Sequence, residues 1–414
     1  MRVLYLTYDG LSDPLGGSQI LPYLRGLQRE AGVRFAIVSF EKAERWQSGG
    51  QALRAELEAE GLAWYPLRFS RRPPLLSKVY DLWRMHTAGA QLLQKGNINL
   101  LHARSYVAGW VAHRLHQRYG VPWIFDMRGF WADERRETQA WPPSSPLHQV
   151  LYRLWKRREK AMLASAAHII VLTEAAKAYL VERGLSPDRI TVIPCVADYG
   201  HFFLPADLYA VERQRRRTEL DLPPEAYVLG YVGSIGPLYE VREMLRFFRV
   251  LRGLREDAYM VFYTPAPPEA IFRYWDEVGL PRSALRLRFV PRSELPSYLS
   301  VLDSSIIFCR PGFSRIGSSP TRIAELLAMN IPVVVQTDLG DNPTLAAQIP
   351  GGLYLCEHFD EAEYAQVAQR LLEKKPGAPS LREASAPFLS LPVGLERYKG
   401  VYVRLLSPAR VLTK

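Results

Sequence analysis

The chain is poor in cysteine and has no apolar run long enough to cross a bilayer. Its 414 residues include three cysteines, Cys195, Cys309 and Cys356. They are far apart and odd in number, so they form neither a disulfide framework nor a metal-ligand spacing. A reducing, cytoplasmic setting is the default for such a chain. No segment approaches the ~18 consecutive apolar residues of a membrane span. The apolar opening, Val3 to Tyr8, is too short for a signal peptide and is ended by Asp9. Short repeats, low-complexity tracts, an Asp-x-Asp motif and His/Cys clusters are all missing, and the expectation is therefore chemistry without a metal.

What is present points to a folded, basic protein. Hydrophobic residues make up 48% and aromatics 11%, enough for well-built cores. The formal charge is +11, which suits nucleic acid, an anionic membrane surface or a phosphorylated ligand. No nucleic-acid recognition module is evident, so that partner is not expected. The cations are clustered. Arg68, Arg71, Arg72, Lys78 and Arg84 stand among Pro73, Pro74, Leu75, Leu76, Tyr80 and Trp83. Arg153, Lys156, Arg157, Arg158 and Lys160 stand among Tyr152, Leu154, Trp155 and Leu163. This mixture suits the surface of an anionic membrane, or equally a solvated helix face with core aromatics behind it. For the third cluster, Arg213 to Arg217, a solvated face is expected.

Strand and helix patterns alternate along the chain. Val3–Thr7 reads as a strand, followed by a loop with Gly16 and Gly17, a helix from about Gln19 to Glu30, and a second strand over 34–39. This βαβ start opens a doubly wound parallel sheet. Further strands are expected at 63–66, 100–102, 123–126, 167–172 and 190–193. Periodicity lapses over Pro194–Leu208, and a second α/β series begins at Tyr227, with strands at 227–232, 259–263, 287–290, 305–309 and 332–335. The boundaries implied are 1–197 and 198–389, with a helical segment within 390–414. In two such domains, ligands are expected at strand carboxyl ends, in a cleft between the domains.

The segment Ser318-Ser319-Pro320-Thr321-Arg322-Ile323-Ala324-Glu325 carries the most information. Ser319 suits an N-cap and Pro320 the first helical position, while Ile323, Leu326 and Leu327 repeat on one face. A helix N-terminus just beyond a strand is a site for an anion such as a diphosphate, although an ordinary capped helix fits the same residues. Glu325 lies about 200° from Ile323, opposite the apolar stripe.

The order of these pieces resembles a family 4 glycosyltransferase of GT-B architecture over nearly the whole length. The resemblance is carried by Gly16-Gly17 before a helix, Leu101-His102-Ala103-Arg104, Asp126 to Glu134, Ile193-Pro194-Cys195-Val196-Ala197-Asp198, Gly230 to Gly233, Ser318 to Arg322 with Glu325, and the helix from Gly394. It implies two facing Rossmann-like domains, the last helix returning to the first. It implies transfer of a sugar, with retention, from a nucleotide sugar to a hydroxyl on a glycan or lipid-linked acceptor, with no cofactor. The setting implied is cytoplasmic or peripheral to the inner membrane face. Donor contacts would come from Gly16, Gly17, Ser234, Arg310, Ser318, Ser319, Thr321, Arg322 and Glu325. Asp126 and Arg128 would handle the acceptor, Asp126 as base or orienting group. The sequence departs from the family at Gly317, where a first glutamate is usual, and at Ser234 and Tyr239, where cations are usual. An epimerase or phosphorylase-like enzyme, or a sugar-nucleotide-binding protein without catalysis, fits the same fold.

Overall fold

A computed structural model describes residues 2–373 and 380–406. Two compact units divide the chain. The first runs from the N-terminus to Arg136, then covers Ala140–Pro194 and the stretch from Leu391. The second covers Glu137–Gln139 and Cys195–Ser390. The part of the expected C-terminal helix beyond residue 406 lies outside the described residues.

The first unit is built on seven parallel strands: β1 (Arg2–Thr7), β2 (Arg34–Glu41), β3 (Ala63–Arg68), β4 (Leu100–Arg104), β5 (Trp123–Asp126), β6 (His168–Val171) and β7 (Ile190–Val192). Their order is β3-β2-β1-β4-β5-β6-β7. Their near-continuous burial is what a parallel sheet covered on both faces requires. The order reverses between β1 and β4, so the loops beyond those strands diverge and leave room for a ligand. In register, Tyr5 lies beside His102 and Arg104 beside Asp126. With side chains alternating, His102, Arg104 and Asp126 share one face. That face is covered by the Leu391–Leu406 helix, whose Tyr402 hydroxyl lies 2.6 Å from His102 Nδ1. On the other face the Ser105–Tyr119 helix lies between Pro74–Gln94 and Pro146–Ser165. Gly89 closes against Leu115, and Tyr106 donates to Glu159 at 2.7 Å.

The second unit repeats the plan with β8 (Val228–Val232), β9 (Tyr259–Tyr263), β10 (Leu285–Arg288), β11 (Ser304–Ile307), β12 (Val333–Gln336) and β13 (Leu353–Cys356). The parallel order is β10-β9-β8-β11-β12-β13, reversing between β8 and β11. The Val241–Leu254 helix buries Met244, Leu245, Phe247, Phe248 and Leu251 along one side, and Trp275 packs with Phe248.

Several elements differ from the sequence reading, among them the edge strand Leu353–Cys356, which was not expected. Gly16 and Gly17 belong to a short helix, Pro14–Gln19, rather than a loop, because a proline opens that turn. The β10 strand starts at Leu285 and ends at Arg288, two residues earlier than the 287–290 expected; Phe289 is exposed. The Arg213–Arg217 cluster, expected on a solvated helix face, does lie in a helix, Ala206–Glu219, but Arg216 and Arg217 are buried in it. Arg217 donates to the carbonyls of Pro223, Pro224 and Ala226, which explains how a guanidinium is held inside.

Candidate functional sites

In the second unit, the reversal between β8 and β11 gathers the loops expected to meet a donor. The loop after β8 is stitched to the end of β11, with the Glu240 amide donating to the Phe308 carbonyl at 3.0 Å and the Arg310 amide to the Leu238 carbonyl at 2.7 Å. Ser234 is exposed in that loop after Gly233, whose φ of +144° favours glycine, and its carbonyl accepts the Tyr231 hydroxyl at 2.8 Å. Beyond β11 comes the eight-residue helix Thr321–Ala328.

That helix starts one residue later than expected. Pro320, with ψ 119°, is the cap, and no side chain caps the helix. Ser319 does not act as N-cap; its hydroxyl accepts the Cys195 amide at 3.2 Å. The first-turn amides of Thr321 and Arg322 therefore keep their outward-pointing donor character. Ser318 is half-buried beside them, its hydroxyl donating to the Ser314 carbonyl at 3.4 Å.

Glu325 lies opposite the apolar stripe yet is 1% exposed, because residues 323–329 are buried on every side of the Thr321–Ala328 helix, on which the Leu381–Leu389 helix packs. Arg292 donates to Glu325 Oε1 at 2.6 Å and Arg322 donates to Oε2. Both arginines are only about one-third exposed. Arg310 pairs with Glu240 at 3.3 Å. The two cations assigned to a diphosphate thus start from ion pairs. Arg292 was missed: it lies 33 residues before Glu325, in the loop after β10, with no local signal.

In the first unit, Asp126 sits at the carboxyl end of β5, fully buried. Tyr398 donates to its Oδ2 at 3.0 Å. His102 Nε2, Arg104 Nη1 and Arg128 Nη1 each stand 3.7 Å from its carboxylate. Burial pushes its pKa upward, but Arg128, His102 and Arg104 outweigh burial and bring it down to about 2. Burial chiefly lowers the His102 pKa, against the pull of Asp126, so the imidazole is neutral at neutral pH. Arg104 also reaches Asp9, 3.5 Å away beyond β1. Arg128 has φ +59°, a left-handed conformation that costs a non-glycine residue about 1 kcal/mol, and is followed by Gly129 at φ +107°. A carboxylate this enclosed and acidic is an anchor for cations, not an accessible base. Gly16 is held by packing: a Cβ there would lie 2.3 Å from the Gly10 carbonyl, whereas at Gly17 it would meet open space. Among the described residues, no group of three or more His, Cys, Asp or Glu is placed to hold a metal ion.

Two sheets of this order, each with its ligand-side loops at a strand reversal, define the GT-B class, and solved structures agree. Sucrose-phosphate synthase from Thermosynechococcus elongatus superposes with a TM-score of 0.68 over 98% of this chain and 99% of its own, at 16% identity. Anabaena Alr3699/HepE, solved with UDP and glucose, gives 0.68 over 97% and 99%, at 13% identity. More narrowly, residues 16–195 match the model of the glycosyl transferase 4-like domain. A D-inositol 3-phosphate glycosyltransferase of Thermomonospora curvata is 27% identical over 290 residues, a stretch spanning 67% of this chain but 64% of that relative.

Proposed function

We propose that the protein is a glycosyltransferase that moves a sugar from a nucleoside-diphosphate sugar to an acceptor hydroxyl, the second unit holding the donor and the first the acceptor. The observation that carries this reading is the buried Glu325 carboxylate, fixed by Arg292 and Arg322 at the start of the Thr321–Ala328 helix. A helix N-terminus supplies amides and positive potential to a diphosphate. The leaving group gains charge as the glycosidic bond breaks, so donors fixed beforehand lower the barrier. Arg322 can turn from Glu325 toward that charge while Arg292 stays on the carboxylate, and Arg310 can turn from Glu240. Glu325, held in one orientation, is suited to accept from ribose hydroxyls. Ser318, Ser319 and Thr321 border the same helix start, and Ser234 and Gly17 contribute open backbone.

In the first unit, Asp126 acts as a positioning residue that fixes Arg128 and Arg104, and Arg128 orients the acceptor. Retention at the anomeric carbon and reaction without a metal belong to this proposal, as does a glycan or lipid-linked acceptor. A thermal-shift panel of UDP, GDP, ADP and their sugar conjugates tests the donor site. A selective rise in Tm, reduced in Glu325→Gln and Arg292→Ala, is expected. No rise with any nucleotide overturns the donor reading. Nucleotide binding without transfer to any acceptor would favour the binding protein that Gly317, Ser234 and Tyr239 suggest.

A further inference from the structure

We infer that His201 is a positioning residue of the donor site: it fixes the backbone that carries Arg292, and through Arg292 the orientation of the Glu325 carboxylate toward a ribose. This role rests on the donor reading of the second unit. Arg292 reaches Glu325 from the loop between β10 and the Leu295–Leu299 helix. A long side chain on a loop loses much freedom when held in one geometry, so a fixed ion pair there needs a fixed backbone. The Arg292 carbonyl is taken twice. The Leu295 amide donates to it at 3.2 Å. His201 Nε2 lies 3.0 Å from the same oxygen. A carbonyl has no proton to give, so Nε2 is the donor, and both lone pairs of the oxygen are occupied. The guanidinium is steadied separately, 5.0 Å from the ring centroid of Phe202. Two adjacent residues thus hold the two ends of Arg292, whose Nη1 donates to Glu325 Oε1 at 2.6 Å.

The segment that bears His201 is itself held. Asp198 Oδ1 accepts the amides of Gly200 at 2.9 Å and His201 at 3.3 Å, and the Asp198 carbonyl accepts the Phe202 amide at 3.0 Å. Phe202 is fully buried. Arg382, from the Leu381–Leu389 helix, donates to the carbonyls of Tyr199 and Phe202, both at 2.6 Å, and to that of Ala328 at 2.8 Å. Ala328 ends the Thr321–Ala328 helix, whose carbonyl terminus favours a cation. The contacts therefore close a ring around that helix. Its Glu325 is tied through Arg292 to His201 and Phe202, and its last carbonyl is tied through Arg382 to the same segment. A carboxylate braced in this way presents one orientation to a ligand, and the cost of ordering it is met before the ligand arrives. Nothing beside Arg292 in the sequence supplies the brace, because His201 lies 91 residues earlier.

Calorimetry of the full chain with UDP, GDP and ADP, each beside its 2′-deoxy form, tests this. The wild type is expected to prefer the ribose form of the nucleotide it binds by about tenfold. His201→Leu removes the donor to the Arg292 carbonyl. It is expected to bind that nucleotide about tenfold more weakly and to lose most of the preference for ribose. His201→Gln, whose side-chain amide can donate to the same carbonyl, is expected to stay within about threefold of wild type. Should His201→Leu melt abnormally, His201→Met replaces it. A brace that served only the fold would weaken the ribose and deoxyribose forms alike. Two results overturn the inference and leave the donor reading standing. One is wild-type affinity and ribose preference in folded His201→Leu. The other is an equal loss of affinity for both forms. A wild type that binds none of the three nucleotides overturns the donor reading, and this inference with it.

Discussion

The two units share a strand order and differ in charge. The first holds 32 Lys and Arg against 17 Asp and Glu; the second holds 21 against 25. The excess of +11 is therefore a property of the first unit alone. The second unit also pairs its surface arginines: Arg242 with Glu277, Arg246 with Glu243, Arg249 with Glu361, Arg282 with Asp276. In the first unit, three adjacent helices lack any exposed acid. A doubly wound sheet needs neither arrangement, so the difference records what each unit meets, not how it folds.

Substitutions can break this comparison, starting with the deepest charge. Asp126→Asn removes the one carboxylate shared by His102, Arg104 and Arg128, and should destabilise the first unit by about 3 kcal/mol, read by denaturant melting. Its pH dependence has a definite sign. The folded pKa of about 2 lies below the ~3.9 of an unfolded aspartate, so the stabilisation is complete above about pH 4 and is lost as pH falls toward 2. Wild type and Asp126→Asn should therefore converge in stability on acidification, and parallel curves would refute the anchor role.

Glu325→Gln should weaken nucleoside-diphosphate binding by about tenfold in calorimetry, because Arg292 and Arg322 lose their fixed partner. The smallest effect belongs to the exposed Arg242–Glu277 pair, whose double-mutant cycle should show no resolvable coupling.

Apart from the edge strand Leu353–Cys356, the two sheets were legible because buried parallel strands are apolar runs, as in Val333 to Val335 and Trp123 to Phe125. The loops at their carboxyl ends followed from the alternation of strands and helices. What escaped was long-range. The burial of Glu325 escaped because its neighbours in sequence reveal neither the packing around the Thr321–Ala328 helix nor Arg292, which pairs with it. The burial of Arg216 and Arg217 in the Ala206–Glu219 helix escaped because Arg217 is satisfied by backbone carbonyls that no periodicity encodes. Ser319 reads as a cap because serine before Pro-Thr usually is one, yet its hydroxyl is taken by an amide 124 residues away.

The Leu391–Leu406 helix imposes an order of events on synthesis. Its Tyr398 and Tyr402 hydroxyls complete the surroundings of Asp126 and His102, residues that leave the ribosome long before them. The whole second unit is translated in between. The first unit to emerge is thus the last to close, and until then its polar centre must wait in water or in the care of a chaperone.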